Sequence, residues 1–181
     1  MRTEVMVAML VSFLGKTEDF TKDVVKSFSN VGPNGTQFGA VYVSGSSNQT
    51  TAFDLNDHSN AADILNALDS IPNGRSHLGP ALEYLENNLF NVDGTGNNGA
   101  GQPCAVDNRF AIVITDGNTA GGTVPKAQSL KNANVKIIAV GVRKDIDISL
   151  LQAIASGNQN VFHVGDFRNL SSILDGVVSA I

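Results

Sequence analysis

Val5-Met6-Val7-Ala8-Met9-Leu10-Val11 contains no polar side chain. A strand with one wet face alternates apolar and polar residues, whereas an uninterrupted apolar run of this length fits a strand covered on both faces. Phe110-Ala111-Ile112-Val113-Ile114-Thr115 repeats the pattern, and residues 135–142 do so again with a single lysine near the start. Strands covered on both faces belong to parallel sheets clothed by crossover helices. The segments between these runs should therefore carry helical periodicity.

They do. After the first strand, read as residues 4–11, Thr17 is the expected N-cap of a helix in which Phe20, Val24 and Phe28 recur at helical spacing. Glu18 and Asp19 suit the positive end of its dipole. Gly32-Pro33-Asn34-Gly35 breaks the chain before a second strand at 38–44. A turn cluster at 45–49 and a short strand at 50–53 predict an antiparallel hairpin. Ser59 or Asn60 caps a helix with Ala62, Leu65 and Leu68 inward, and Pro72-Asn73-Gly74 ends it. Leu78, Leu82, Leu85 and Leu89 form one stripe of the next helix. Residues 91–108 are rich in Gly and Asn and read as a long surface loop. Beyond the fourth strand, Thr123 and Pro125 start a helix burying Ala127 and Leu130. Residues 135–142 and 161–164 are strands, separated by a helix that Asp147 caps and that buries Leu150, Leu151 and Ile154. Leu170, Ile173, Leu174, Val177, Val178 and Ile181 make the closing helix amphipathic.

This order predicts an α/β fold: a doubly wound, mostly parallel six-stranded sheet with helices on both faces and one antiparallel edge strand. No internal repeat or linker divides the 181 residues, so 1–181 is read as a single domain. With 12 Lys and Arg in no block, and a net charge of −5, nucleic acid and anionic membrane are poor partners. No apolar run reaches the roughly 18 residues that a spanning helix needs. Met1-Arg2 before residues 5–14 has the outline of a short signal peptide, but Glu4 is out of place in a basic leader. Cys104 is the one cysteine. It is read as a free thiol in a loop, with an interchain link as the alternative.

In a doubly wound sheet, ligands meet the C-terminal strand ends where strand order reverses. The candidate segments are 12–17, leaving the first strand, and 116–122, leaving the fourth. Gly74-Arg75-Ser76-His77 should run near the same edge. No nucleophile elbow and no phosphate loop follows a strand. His58 and His77 lie in separate loops without an evident carboxylate partner, and His163 falls inside a strand, where packing is the expectation. The chain is accordingly read as a non-enzyme.

Several stretches, in order, resemble one family. Ile112-Val113-Ile114-Thr115-Asp116-Gly117 is similar to the fourth strand and aspartate-glycine turn of von Willebrand factor type A domains. Gly74-Arg75-Ser76-His77-Leu78-Gly79-Pro80-Ala81-Leu82 resembles their threonine-bearing loop and the helix after it. Phe53-Asp54-Leu55-Asn56-Asp57, Val140-Gly141-Val142, Leu151-Gln152-Ala153-Ile154-Ala155-Ser156 and Val161-Phe162-His163-Val164 resemble further segments.

The resemblance implies a metal-ion-dependent adhesion site, built in this family from an Asp-x-Ser-x-Ser stretch, a threonine and an aspartate around Mg2+, whose hard, octahedral preference suits oxygen ligands. Here the stretch aligns with Leu10-Val11-Ser12-Phe13-Leu14, so Leu10 and Leu14 stand where an aspartate and a serine belong. Ser12, Ser76 and Asp116 are the remaining metal candidates. Three oxygen-bearing residues with one carboxylate compensate a divalent charge poorly, so the site is expected to be degenerate and to hold no cofactor. Each has a plainer reading: Ser76 as a helix cap, Ser12 in a tight turn, Asp116 accepting backbone N–H groups. Arg75 and His77 flank the edge and could meet an acidic partner, though solvent exposure is their default.

Through the family, the expected role is a secreted extracellular matrix or adhesion module that binds collagen or another matrix protein largely without metal. One alternative is a self-associating unit of a fibre or matrix; another is metal-dependent adhesion through the residual site. A subunit of an intracellular ATP-driven machine ranks last. Asn34-Gly35-Thr36, Asn48-Gln49-Thr50 and Asn169-Leu170-Ser171 fit the N-glycosylation pattern, although a chain this rich in Asn, Ser and Thr produces about two or three such triplets by chance.

Overall fold

A computed structural model describes residues 5–11, 14–44, 48–72, 77–90, 108–117 and 122–181. Six strands form one sheet in the order β3-β2-β1-β4-β5-β6: β1 Val5–Val11, β2 Thr36–Ser44, β3 Asn48–Phe53, β4 Arg109–Thr115, β5 Val135–Val142 and β6 Val161–Val164. All neighbouring pairs are parallel except β2 and β3, which run antiparallel with a register shift at Ala40/Val41. The expected doubly wound sheet is the observed one.

The apolar runs divide by parity, as a pleated strand demands. Met6, Ala8 and Leu10 of β1, Ala111 and Val113 of β4, and Ile137 and Ala139 of β5 face one core. That core is closed by α3 (Leu78–Tyr84), α4 (Thr123–Asn132) and α5 (Ile148–Ile154). Val7 and Met9, Phe110, Ile112 and Ile114, and Ile138, Val140 and Val142 face the other. Against it lie α1 (Leu14–Lys26), α2 (Ala61–Asp69) and α6 (Leu174–Ser179). Both faces of the central strands are covered, so a polar side chain pointing into either core would need a partner there.

Local differences from the sequence expectation have physical reasons. Thr17 is not an N-cap. It lies inside α1, fully buried, and its carbonyl accepts the Thr21 hydroxyl at 2.8 Å. Consequently 14–17 belong to a helix rather than to a connecting loop, and Phe28 falls beyond the helix end. β2 begins at Thr36, two residues early, because Thr36 and Gln37 pair with Val5 and Met6. Of the two candidates, Asn60 caps α2, its Oδ1 accepting the Asp63 N–H at 3.0 Å. The inward face of α2 is Ile64 and Leu68, one turn apart, while Ala62 is exposed. The Leu78, Leu82, Leu85, Leu89 stripe is wholly buried as expected, but α3 relaxes after Tyr84 into a π-turn, Leu85–Leu89. There the Phe90 N–H reaches Leu85 O at 3.1 Å. Asp147 caps α5 as expected. The closing segment is two pieces, a 3-10 helix Phe167–Ile173 capped by Asp166 and then α6, with Leu170 and Val177 buried and Ile173, Leu174 and Ile181 only partly so.

Candidate functional site

Placing β1 beside β4 while β2 and β5 lie outward makes their C-terminal ends the point where strand order reverses. Asp116 stands there, one residue past β4. Thr115 Oγ1 accepts the Gly117 N–H at 3.1 Å, and Gly117 takes φ +91, a value that suits glycine. The tight turn brings the Asp116 carboxylate, only 15% exposed, to face Arg143.

Arg143 follows β5 at the same edge. Its Nη1 lies 3.9 Å from Asp116 Oδ2. Its Nη2 donates to Asp145 Oδ2 at 3.4 Å, and its Nε lies 3.2 Å from Asp145 Oδ1, on the exposed side of the edge. The Arg143 backbone has φ 150, outside the usual range for a residue with a side chain. Two bonds from β6 hold it there. Its N–H donates to Val164 O at 3.0 Å, and His163 Nε2–H donates to its carbonyl at 2.7 Å. His163 is therefore not a packing residue as the sequence suggested; it is exposed and fixes a neighbouring turn.

Leu10, which the resemblance aligns with the family's aspartate, is fully buried in β1, between Val41 and Val113 on the flanking strands. It offers no oxygen and sits in the core that Leu78 and Leu82 complete. Ser12, Arg75 and Ser76 lie outside the described residues, as do Cys104 and nearly all of the Gly/Asn-rich loop. His77 occupies the N-cap position of α3 without making a cap bond. It is half-buried rather than exposed, and its Nδ1 is enclosed with no hydrogen-bond partner among the described residues. His58 stacks edge-on against Phe53, with ring centroids 5.1 Å apart. Asn34 and Asn169 are exposed, in a turn and in the 3-10 helix, and Asn48 opens β3. Of the candidate metal residues, the described ones provide Asp116 alone, and its carboxylate faces a guanidinium. The described residues contain no group of three or more His, Cys, Asp or Glu placed to hold a metal ion. As described, they do not fit such an ion.

Arg143 and Asp145 escaped the sequence reading, although the rule that selected Asp116 also covers the loop after β5. A groove of about 610 Å³ between α1 and the turn after β6 was equally unforeseen. Phe20, Phe167 and Leu170 floor it, and Asp19, Asp23 and Asp166 rim it. Asp166 is engaged with Arg168 at 3.0 Å, and Asp23 with Lys26 at 3.0 Å.

A six-stranded, mostly parallel sheet, doubly wound with one antiparallel edge strand, defines a Rossmann-like α/β fold. The model of the von Willebrand factor type A domain matches residues 10–176, and the chain belongs to that family. It is 31% identical over 166 residues to the mouse collagen alpha-4(VI) chain, covering 89% of this chain and 6% of that one. It is 32% identical over 142 residues to human matrilin-4, covering 76% and 22% respectively. Among solved structures, proximal thread matrix protein 1 from the mussel byssus superposes with a TM-score of 0.83 at 27% identity, covering 98% of this chain and 46% of that one. The same mussel protein with a zinc-occupied metal-ion site gives 0.82 at 28% identity, covering 98% and 47%. The chain thus spans a small fraction of its collagen and matrilin relatives and under half of the mussel protein.

Proposed function

We propose that this chain is a single protein-binding domain, residues 1–181, of a secreted extracellular matrix protein. Its partner would be collagen or another matrix protein, met at the β1/β4 edge by Ser12, Arg75, Ser76, His77 and Asp116. Family membership and relatives named as collagens and matrilins support the matrix role. One observation carries the metal-independent part: the residue that the resemblance aligns with the family's aspartate is a core leucine, and the aspartate that remains faces Arg143. No catalytic role is proposed.

The test is surface plasmon resonance of the whole chain over immobilised collagens and matrilins, in Mg2+ and in EDTA, at low and high salt. Binding that survives EDTA and weakens with salt is expected, because charged rim contacts are screened. Loss in EDTA that Mg2+ restores would establish adhesion through Ser12, Ser76 and Asp116 instead. No binding to any matrix component counts against the matrix role.

Likeness to a thread matrix protein favours a second reading, a self-associating unit of a fibre. Light scattering over a wide concentration range separates the two, since a strict monomer at high concentration removes the second.

A further inference from the structure

We propose that Arg143 is the built-in cation of this edge: its guanidinium takes the countercharge role toward Asp116 that a divalent ion would hold, and offers its Nη1 side to a neutral oxygen acceptor, such as a peptide carbonyl, on the partner. This rests on reading the edge as metal-independent.

The geometry supports each half. Asp116 is mostly buried, and a carboxylate in that setting calls for a countercharge or hydrogen-bond donors. Arg143 supplies the cation at 3.9 Å. A divalent ion seated on Asp116 would stand within a few ångströms of that guanidinium and be repelled by it. Asp145 lies beside Nε and Nη2, and Val164 and His163 fix the backbone on either side of the strained φ. A non-glycine residue persists in such a conformation only where its surroundings over-determine it.

The Arg143 side chain is nevertheless 54% exposed. Its Nη1 is too far from Asp116 for a hydrogen bond and makes none to any described residue, so its donors remain for a partner. Asp116, Arg143 and Asp145 together carry one net negative charge. A second carboxylate would be repelled there, whereas a neutral carbonyl or hydroxyl oxygen would not.

The probe is Mn2+ alone, titrated by calorimetry into the whole chain and its variants, with circular dichroism confirming the fold. Wild type and Arg143→Lys should bind Mn2+ weakly. Arg143→Gln should bind about tenfold more tightly, because the repulsion is gone. Adding Asp116→Asn should abolish that gain. Equal Mn2+ affinity in wild type and Arg143→Gln overturns the proposal, as does a gain that persists without the Asp116 carboxylate. Should Arg143→Gln fail to fold, the guanidinium 15N resonances of Arg143 decide. They should move in Asp116→Asn, and unmoved signals overturn the pairing. A search that finds no matrix partner leaves all these outcomes unchanged, so the two readings fail separately.

Discussion

Leu151 of α5 fills the space that a side chain on Gly141 of β5 would need: a Cβ there would stand 2.5 Å from Leu151 Cδ1 and 2.9 Å from Ile146 Cδ1. The absent methyl lets α5 close on the sheet directly beneath the Asp116–Arg143 edge. Gly141→Ala should overpack this contact and lower stability by roughly 1–3 kcal/mol. Urea denaturation checks it, and the paired variant Gly141→Ala with Leu151→Val should recover part of the loss. An unchanged midpoint in the single variant would show that α5 shifts freely.

Leu10→Asp would put a carboxylate where the resemblance places the family's aspartate, without making a metal site. The position is fully enclosed among Leu78, Leu82 and the inward residues of β4 and β5. A carboxylate there loses its hydration without gaining a partner, and Leu10→Ala alone should cost about 2–5 kcal/mol through the cavity it leaves. The aspartate variant should be less stable than the alanine variant, with Mg2+ failing to restore its melting temperature. Rescue by Mg2+ would mean that β1 can reshape to coordinate.

Asp54 gives a pH signature. Burial raises its carboxyl pKa, the Leu55 N–H partly offsets this, and Asp57 adds repulsion. A folded-state pKa above the unfolded value favours folding while the group is protonated, and that contribution is lost as pH rises through the folded pKa. Ionised Asp54 therefore costs stability at neutral pH. Asp54→Asn, which keeps an oxygen for the Leu55 N–H, should be more stable than wild type at neutral pH. The difference should close below the ordinary carboxylate range, about pH 4. The side chain is half-buried, so the gain is small. Chemical denaturation at the two pH values reads it, and a gain that persists in acid would rule out charge as its source.

Asp147 Oδ1 accepts the Ser149 N–H at 2.9 Å and the Leu150 N–H at 3.3 Å. Removing it leaves two helix donors to water and takes a negative charge from the dipole's positive end. Asp147→Ala should cost about 1 kcal/mol, with Asp147→Ser recovering much of it. Hydrogen exchange should show the loss as faster opening of the first turn of α5, and protection equal to wild type would show that the cap contributes nothing.

The legible parts of this chain were those governed by period. Apolar runs such as Val5–Val11 must alternate between two cores, and the leucines of α3 must share a stripe, so strand identity and the doubly wound class followed directly. Helix starts were less legible. Thr17, Asn60 and Asp147 all have capping side chains, yet Thr17 is buried inside its helix, and local chemistry alone does not distinguish a cap from a first-turn residue. At the edge, Asp116 was legible as a candidate because it abuts an apolar strand. Arg143 was not, because its importance lies in a contact to a residue 27 positions earlier and in a backbone angle, neither of which has a local signature. His163 was misjudged for a related reason: β6 is the last strand of the sheet, and an edge strand can point a polar ring at a neighbouring turn.

The two outermost strands set a limit on how copies of the domain can crowd together. β6 has four residues, and β3 meets its neighbour through a register shift. Short or kinked rims make poor templates for another chain's backbone. Packed at the density of a fibrous tissue, such sheets resist fusing rim to rim into a continuous ribbon. A load-bearing array of this domain would have to be joined through its helices and loops, where contacts can be made and released without unravelling the sheet.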